Sequence, residues 1–151
     1  MIWLSILAAT ALILGGVLSV RPSKAQKRIA SIRASAMQSG IHVKLPVSLK
    51  FPDDIEKGRL PFYCRHLREI SFAGSYYCVL RDDDRISASS GDINVSLKTK
   101  IDAILMSADP DIRGFYLGDG LLGFSWLESE RSEVLTGMGR CIDEVEALLQ
   151  E

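Results

Sequence analysis

A thiol and an imidazole lie close together in this sequence only at Cys64-Arg65-His66. A nucleophilic cysteine needs a neighbouring base that lowers the pKa of its thiol, and it must lie in an accessible pocket. Residues i and i+2 share a face in a β-strand but not in a helix, so the pair cooperates only on a strand. Because catalytic pairs are usually brought together by the fold, we interpret Cys64 as a partly buried thiol beside a surface base. The alternative is an enzyme that uses Cys64 and His66 in an assembled site.

Acidic and glycine-rich turns are weaker candidates for metal or phosphate binding. Asp82–Asp84 offers the oxygen ligands that Ca²⁺ prefers, but the alternating acids and distal glutamate of a calcium loop are missing. With His42 and His66 as the only histidines, a zinc site has too few ligands. A phosphate-binding loop requires a lysine after its glycines, and none follows the glycines of residues 118–123. We therefore predict no catalytic, cofactor-binding or metal-binding residue, and no cofactor.

An apolar N-terminal run indicates a membrane anchor. Residues 2–20 carry no charged side chain, and as a helix they would span about 28 Å, close to the ~30 Å hydrocarbon core of a bilayer. A cleaved signal peptide has a basic segment before a shorter apolar core, whereas here Met1 leads directly into Ile2. We therefore predict a retained transmembrane helix over residues 1–20. A cleaved, exported domain with a Cys64–Cys78 bridge is the competing interpretation.

The charge distribution orients this anchor. Residues 21–40 carry five bases and no acid, whereas residues 41–151 carry 13 bases and all 19 acids. Under the positive-inside rule the C-terminal side faces the cytoplasm. We thus expect a single-pass protein of the bacterial inner membrane, with its N-terminus outside, its domain in the cytoplasm and its three cysteines reduced. The bases flanking the membrane, which can also contact anionic lipid headgroups, are Arg21, Lys24, Lys27, Arg28 and Arg33. The net charge of −1 argues against a nucleic-acid partner.

The segment 21–40, RPSKAQKRIASIRASAMQSG, predicts a basic juxtamembrane helix from about Ser23 to Ser39. Pro22 suits the first turn of such a helix and Gly40 its C-terminal cap. An apolar anchor followed by RPSKAQKR and a helix resembles the start of the YajC family, the small single-span accessory subunits of the bacterial Sec translocase. The resemblance covers about 30 of the 151 residues and implies a role linked to protein translocation. The combination of a strand and a glycine turn that follows the helix in that family is missing from residues 41–51.

Patterns after residue 40 predict a soluble α+β domain over residues 41–151. Alternating or β-branched runs predict strands at Ile41–Leu45, Ser75–Arg81 and Ile86–Ala88, and a hairpin of Gly114–Leu117 and Leu121–Leu127 around Gly118-Asp119-Gly120. Prolines predict irregular chain over Val47–Arg68, with a short helix near Pro61–Glu69, and Ser89–Asp92 predicts a break.

Two apolar stripes at helical spacing predict the helices that cover this sheet. One stripe runs from Ile93 to Leu105; the other is capped by Ser132 and buries Leu135, Ile142 and Leu149. The predicted fold is therefore a small antiparallel sheet packed by two amphipathic helices, after the anchor and the basic helix. Cys141, in the middle of the last stripe, should be the best protected cysteine, and Cys64 the most reactive.

Aromatic residues are concentrated on the predicted hairpin, where alternation sends some of them to each face. If helices cover one face, the other could expose aromatic side chains to a partner; core packing on one face and ordinary scatter on the other is the interpretation that we favour. The candidate partner surface consists of Phe115, Tyr116, Phe124 and Trp126. With no catalytic constellation, the sequence favours a membrane-tethered, non-enzymatic cytoplasmic domain that acts as an interaction or accessory module for a membrane-associated protein.

Overall fold

The computed structural model describes residues 22–44, 60–67, 74–80, 85–91, 93–129, 131 and 133–150, with the single positions Trp3 and Ile6. Two compact units divide the chain, residues 1–31 and 32–151. Within the described ranges, no helix has the length and apolarity needed to cross a membrane. Apart from Trp3 and Ile6, the anchor predicted for residues 1–20 falls outside those ranges, as do the Asp82–Asp84 turn and Ser132.

The predicted basic helix is confirmed as α1, Lys24–Gln38. At its start Ser23 and Gln26 cap each other: the Gln26 amide donates to Ser23 Oγ at 3.1 Å, and the Ser23 amide donates to Gln26 Oε1 at 2.8 Å. At its end Gly40 adopts φ +73°, and the Ile41 amide donates back to the Ala36 carbonyl at 2.9 Å. This left-handed glycine cap is the ending that the sequence predicted.

In the described part of the chain, six strands form one antiparallel sheet, in the order β1-β2-β6-β5-β3-β4. They are β1 (His42–Lys44), β2 (Phe62–His66), β3 (Gly74–Leu80), β4 (Arg85–Gly91), β5 (Ile112–Gly118) and β6 (Leu121–Trp126). The hairpin of β5 and β6 is confirmed; its turn residues Asp119 and Gly120 have φ values of +51° and +69°. Two successive positive φ values match the twist of the flanking strands, which explains the Asp-Gly pair at this turn.

Two local predictions were wrong, both because strand pairing overrides local turn signals. The short helix expected near Pro61–Glu69 is strand β2, which pairs with β1 on one side and β6 on the other. The break expected at Ser89–Asp92 is still strand as far as Gly91, which pairs with Gly74 of β3. The following helix α2 (Val95–Leu105) begins instead at Asn94, whose Oδ1 accepts from the Ser96 amide at 2.9 Å.

The helices pack on one face of the sheet. Helices α2 and α3 (Glu133–Gln150) contribute Ile101 and the fully buried Ile142 to the main core, whereas Leu135 and Leu149 are only partly buried. The α+β architecture with an antiparallel sheet is therefore confirmed. The sequence assigned two helices to this sheet, but α1 joins them, because Ile32 and Ala36 also lie in the main core.

The opposite face of the sheet is buried as well. Phe62, Cys64 and Tyr116 form a second buried cluster, with Tyr77 and Leu121 packed against it. Register explains the division, since Cys64 lies opposite Gly123 while its neighbour Tyr63 lies opposite Phe124, and neighbouring residues of a strand point to opposite faces. Buried side chains therefore lie on both faces of the described sheet.

Candidate functional site

A buried carboxylate cluster joins α1 to the sheet. Arg33 holds Glu128 with two hydrogen bonds: Nε donates to Oε1 at 2.7 Å and NH2 donates to Oε2 at 2.9 Å. The Tyr63 hydroxyl donates to the same Oε1 at 2.7 Å. Glu128 is 8% exposed, although Arg33 retains 31% exposure at its side chain. We call Arg33, Tyr63 and Glu128 the carboxylate cluster.

Three elements bring the carboxylate cluster together. Tyr63 stands on β2 facing the main core, and Arg33 comes from α1 one position beyond the buried Ile32. Glu128 follows the end of β6 with φ +52°, a conformation that is uncommon for residues other than glycine. Trp126 packs against the Tyr63 ring at 5.3 Å between centroids, and its buried Nε1 finds no hydrogen-bond acceptor among the described residues. The strained backbone at Glu128 thus places its carboxylate within hydrogen-bond distance of two donors, Arg33 and Tyr63.

The electrostatics of this cluster favour a fixed ion pair over proton transfer. The hydrogen bond to Glu128 raises the pKa of Arg33, so the guanidinium keeps its proton. Burial, followed by the hydrogen bond to Glu128, raises the pKa of Tyr63 far above its ordinary value. Neither donor releases a proton near neutral pH. The arrangement is therefore suited to holding α1 in place and poorly suited to general acid–base chemistry.

Sequence patterns alone do not identify Tyr63 or Glu128. Tyr63 lies in the stretch expected to be irregular or helical, and Glu128 is a single acid with no periodic partner. The one available signal was the acid directly after an apolar strand, which is a weak one. Arg33 was identified only as a base flanking the membrane.

The bases flanking the membrane are divided by the structure. Arg33 belongs to the carboxylate cluster, whereas Lys24 and Lys27 are exposed on the first turns of α1. Arg28 is half-buried, and Arg21 falls outside the described residues.

The thiol and imidazole of the Cys64-Arg65-His66 stretch do share a face of the sheet, because the stretch lies on β2. His66 is exposed, but Cys64 is fully buried. Burial raises the pKa of the Cys64 thiol, against a smaller opposing effect of the Lys44 charge. An activated nucleophile requires the opposite shift and an accessible sulfur.

The four aromatic residues of the candidate partner surface are buried, which agrees with the favoured core packing and not with an exposed surface. Phe115, Phe124 and Trp126 are fully buried in the main core, and Tyr116 is buried in the second cluster. Alternation does send them to both faces, but on each face they are buried. Outside the N-terminal positions 3 and 6, the described large apolar side chains that are exposed are Met37, Val95, Met106 and Leu127.

A further charged contact among the described residues connects a strand to a helix. Arg65 NH1 bridges Asp143 at 2.5 Å and Glu146 at 3.1 Å, tying β2 to α3. Within the described ranges, no three histidine, cysteine or acidic residues are arranged to hold a metal ion.

Comparisons with protein-family models, with curated proteins and with solved structures found no match to this chain.

Proposed function

We propose that this chain is a membrane-tethered, non-enzymatic module whose α+β domain lies in the cytoplasm and binds or supports a membrane-associated protein. The observation that carries the proposal is the division of the basic residues. Arg33 forms an ion pair with Glu128 within the domain, whereas Lys24 and Lys27 are exposed on the helix that follows the apolar run. An exposed base near an anionic leaflet contributes ~1 kcal/mol to membrane binding.

The tether in this proposal is a transmembrane helix over residues 1–20, with the N-terminus outside the bacterial inner membrane. Its support is the uncharged run of residues 2–20 and the five bases of residues 21–40, which the positive-inside rule places in the cytoplasm. The resemblance of the same segment to YajC proteins favours a component of the protein-translocation machinery as the partner.

A binding role accords with the way the domain uses its polar groups. Arg33, Tyr63 and Glu128 satisfy one another, and Arg65 is held between two acids. The one candidate nucleophile with a neighbouring imidazole, Cys64, is buried with a raised pKa. An enzyme would instead present titratable groups poised near neutral pH in an open cleft.

For the partner contact we propose the outer side of α2. Val95 is 78% exposed and Met106, at the C-terminal cap, is 67% exposed. Eleven residues are about three turns of helix, so the two side chains lie on the same side. Exposed apolar side chains on one side of a helix are a common means of contact with another protein.

Photo-crosslinking of the full chain in its own membrane tests this proposal. A photoreactive amino acid is placed at Val95 or Met106, and matched controls carry it at Thr136 or Glu144, exposed positions of α3. We expect the two α2 positions to give the same adduct with a membrane protein, and the α3 positions to give none. Equal adducts from both helices, or none from α2, would contradict the proposed contact. Recovery of a translocase subunit in the adduct would support the Sec-linked version.

A further inference from the structure

Both histidines of the chain meet near one edge of the sheet. His42 lies on the edge strand β1 and His66 on its neighbour β2. The register places His42 opposite Cys64, so His66, two residues beyond Cys64, is the diagonal neighbour of His42 on the same face. The two imidazole rings are 5.7 Å apart between centroids, with their planes at 68°.

This separation suits a shared metal ion. Zinc–imidazole bonds are about 2 Å long, and a ring nitrogen lies about 1 Å from its ring centre, so one ion between two imidazoles places their centroids about 5 to 6 Å apart. The observed 5.7 Å falls in that range without movement of the strands.

Both rings are available to a ligand. The His42 and His66 side chains are exposed, and within the described ranges neither takes part in a hydrogen bond or an ion pair. The backbone beneath them is held by the β1–β2 ladder and by the Leu67 amide, which donates to the Gly120 carbonyl at 2.9 Å. A pair of imidazoles on a fixed backbone loses little conformational freedom when it binds an ion.

We propose that His42 and His66 form a two-imidazole site for a divalent transition-metal cation of the Zn²⁺ and Cu²⁺ class. Imidazole nitrogen is a preferred ligand of these ions. Because the protein supplies two ligands and not the four of a structural zinc site, water fills the other positions and the ion exchanges readily. Lys44 lies on the same face, two residues after His42, and its positive charge weakens the binding of a cation.

Calorimetric titration of the purified full chain with Zn²⁺, under reducing conditions, tests the site. We expect one ion to bind per chain with a Kd below about 1 mM. His42→Ala and His66→Ala should each weaken this binding at least 10-fold, to the level of the double variant, because one imidazole cannot chelate. Lys44→Ala should tighten it several-fold. Cys64→Ala should leave the affinity unchanged, since the buried thiol is not a ligand.

Thermal unfolding provides a second readout that separates lost binding from lost folding. Both histidines are exposed, so the alanine variants should unfold at the parent temperature without metal. Zn²⁺ should raise the unfolding temperature of the parent, because it binds the native state, and should leave both histidine variants unchanged. Zinc binding that survives either histidine substitution, or that is lost in Cys64→Ala, would overturn the proposal. So would the absence of binding at 1 mM Zn²⁺.

Discussion

Arg33 and Glu128 lie 95 positions apart in the chain and form a two-point ion pair, with contacts of 2.7 and 2.9 Å. The pair holds the C-terminal half of α1 beside the end of β6. Tyr63 completes it from β2, so one buried carboxylate connects three elements. The C-terminal half of α1, which in the sequence resembles a simple topology signal, is therefore part of the folded domain.

Removing Arg33 should destabilise the domain more than removing another base of α1. Arg33→Ala leaves the buried Glu128 carboxylate without its charged partner, which we expect to cost about 2–3 kcal/mol, since Arg33 is itself partly exposed. Lys27→Ala, at an exposed position of the same helix, should change stability by less than ~0.5 kcal/mol. Thermal unfolding of the full chain in detergent measures both, and equal losses would contradict the assigned role of the pair.

Two glycines should respond to alanine in opposite directions. A Cβ on Gly123 would lie 2.3 Å from the Tyr63 carbonyl oxygen and 2.7 Å from Cys64 Cα, both backbone atoms of the neighbouring strand. Gly123→Ala should therefore cost at least ~2 kcal/mol. On α3, a Cβ on Gly137 meets nothing within 4 Å, so Gly137→Ala should stabilise by ~0.5–1 kcal/mol through helix propensity. Chemical denaturation of both variants tests the pair, and a neutral Gly123→Ala would show that β2 and β6 are less closely apposed.

The structure reverses the order of thiol reactivity that the sequence predicted. Cys64 was expected to react most readily and Cys141 least, but their exposed fractions are 0% and 7%, with Cys78 at 2%. Cys64 is protected because its side chain is buried with Phe62 and Tyr116 in the second cluster. Burial raises the thiol pKa of both Cys64 and Cys141, so alkylation of each should have its midpoint above the ordinary ~8.5.

Mass spectrometry of the alkylated native chain checks this order. Cys141 should be modified first, then Cys78, and Cys64 last, and the three rates should converge after denaturation. Fast alkylation of native Cys64 with a midpoint below pH ~7 would favour the enzymatic alternative, because a reactive thiol has a depressed pKa.

Tyr116 should make the domain sensitive to alkali. Its hydroxyl donates to Asp119 Oδ2 at 2.7 Å, and burial together with this bond raises the pKa of Tyr116 to about 12. The unfolded chain ionises this tyrosine near pH 10, so the stabilisation is fully present below pH ~10 and is lost as the pH rises toward 12. Unfolding temperatures of the parent and of Tyr116→Phe between pH 8 and 11.5 test this. The variant should lose less stability with rising pH, and parallel curves would refute the role of Tyr116.

The elements that were predicted correctly are those whose ends are marked by residues with a special backbone conformation. Gly40 marked the end of α1, and Asp119-Gly120 marked the hairpin, because each needs a backbone conformation that few residues adopt. Strand β2 was missed because it is stabilised by pairing with β1 and β6. The prolines around it predict irregular chain, and the sequence carries no sign of the pairing. Alternation assigned the hairpin aromatics to two faces, but it could not tell that these side chains are buried on both.

The candidate sites depended even more on long-range pairing. Nothing near Glu128 in the sequence indicates Arg33 or Tyr63, and nothing near His42 indicates His66. Both groupings arise from the register of the strands and from the packing of α1. For this reason the residues that the sequence selected by proximity, Cys64 and His66, were not the ones that the fold joined by hydrogen bonds.

The central claim, a domain tethered to the inner membrane on its cytoplasmic side, is tested most directly by reporter fusions after Glu151. Two fusions of the full chain are compared in the same bacterial host: alkaline phosphatase, which is active only in the periplasm, and green fluorescent protein, which fluoresces when it folds in the cytoplasm. The account predicts a fluorescent fusion that sediments with membranes and a phosphatase fusion without activity. An active phosphatase fusion, or a fluorescent fusion in the soluble fraction, would contradict it.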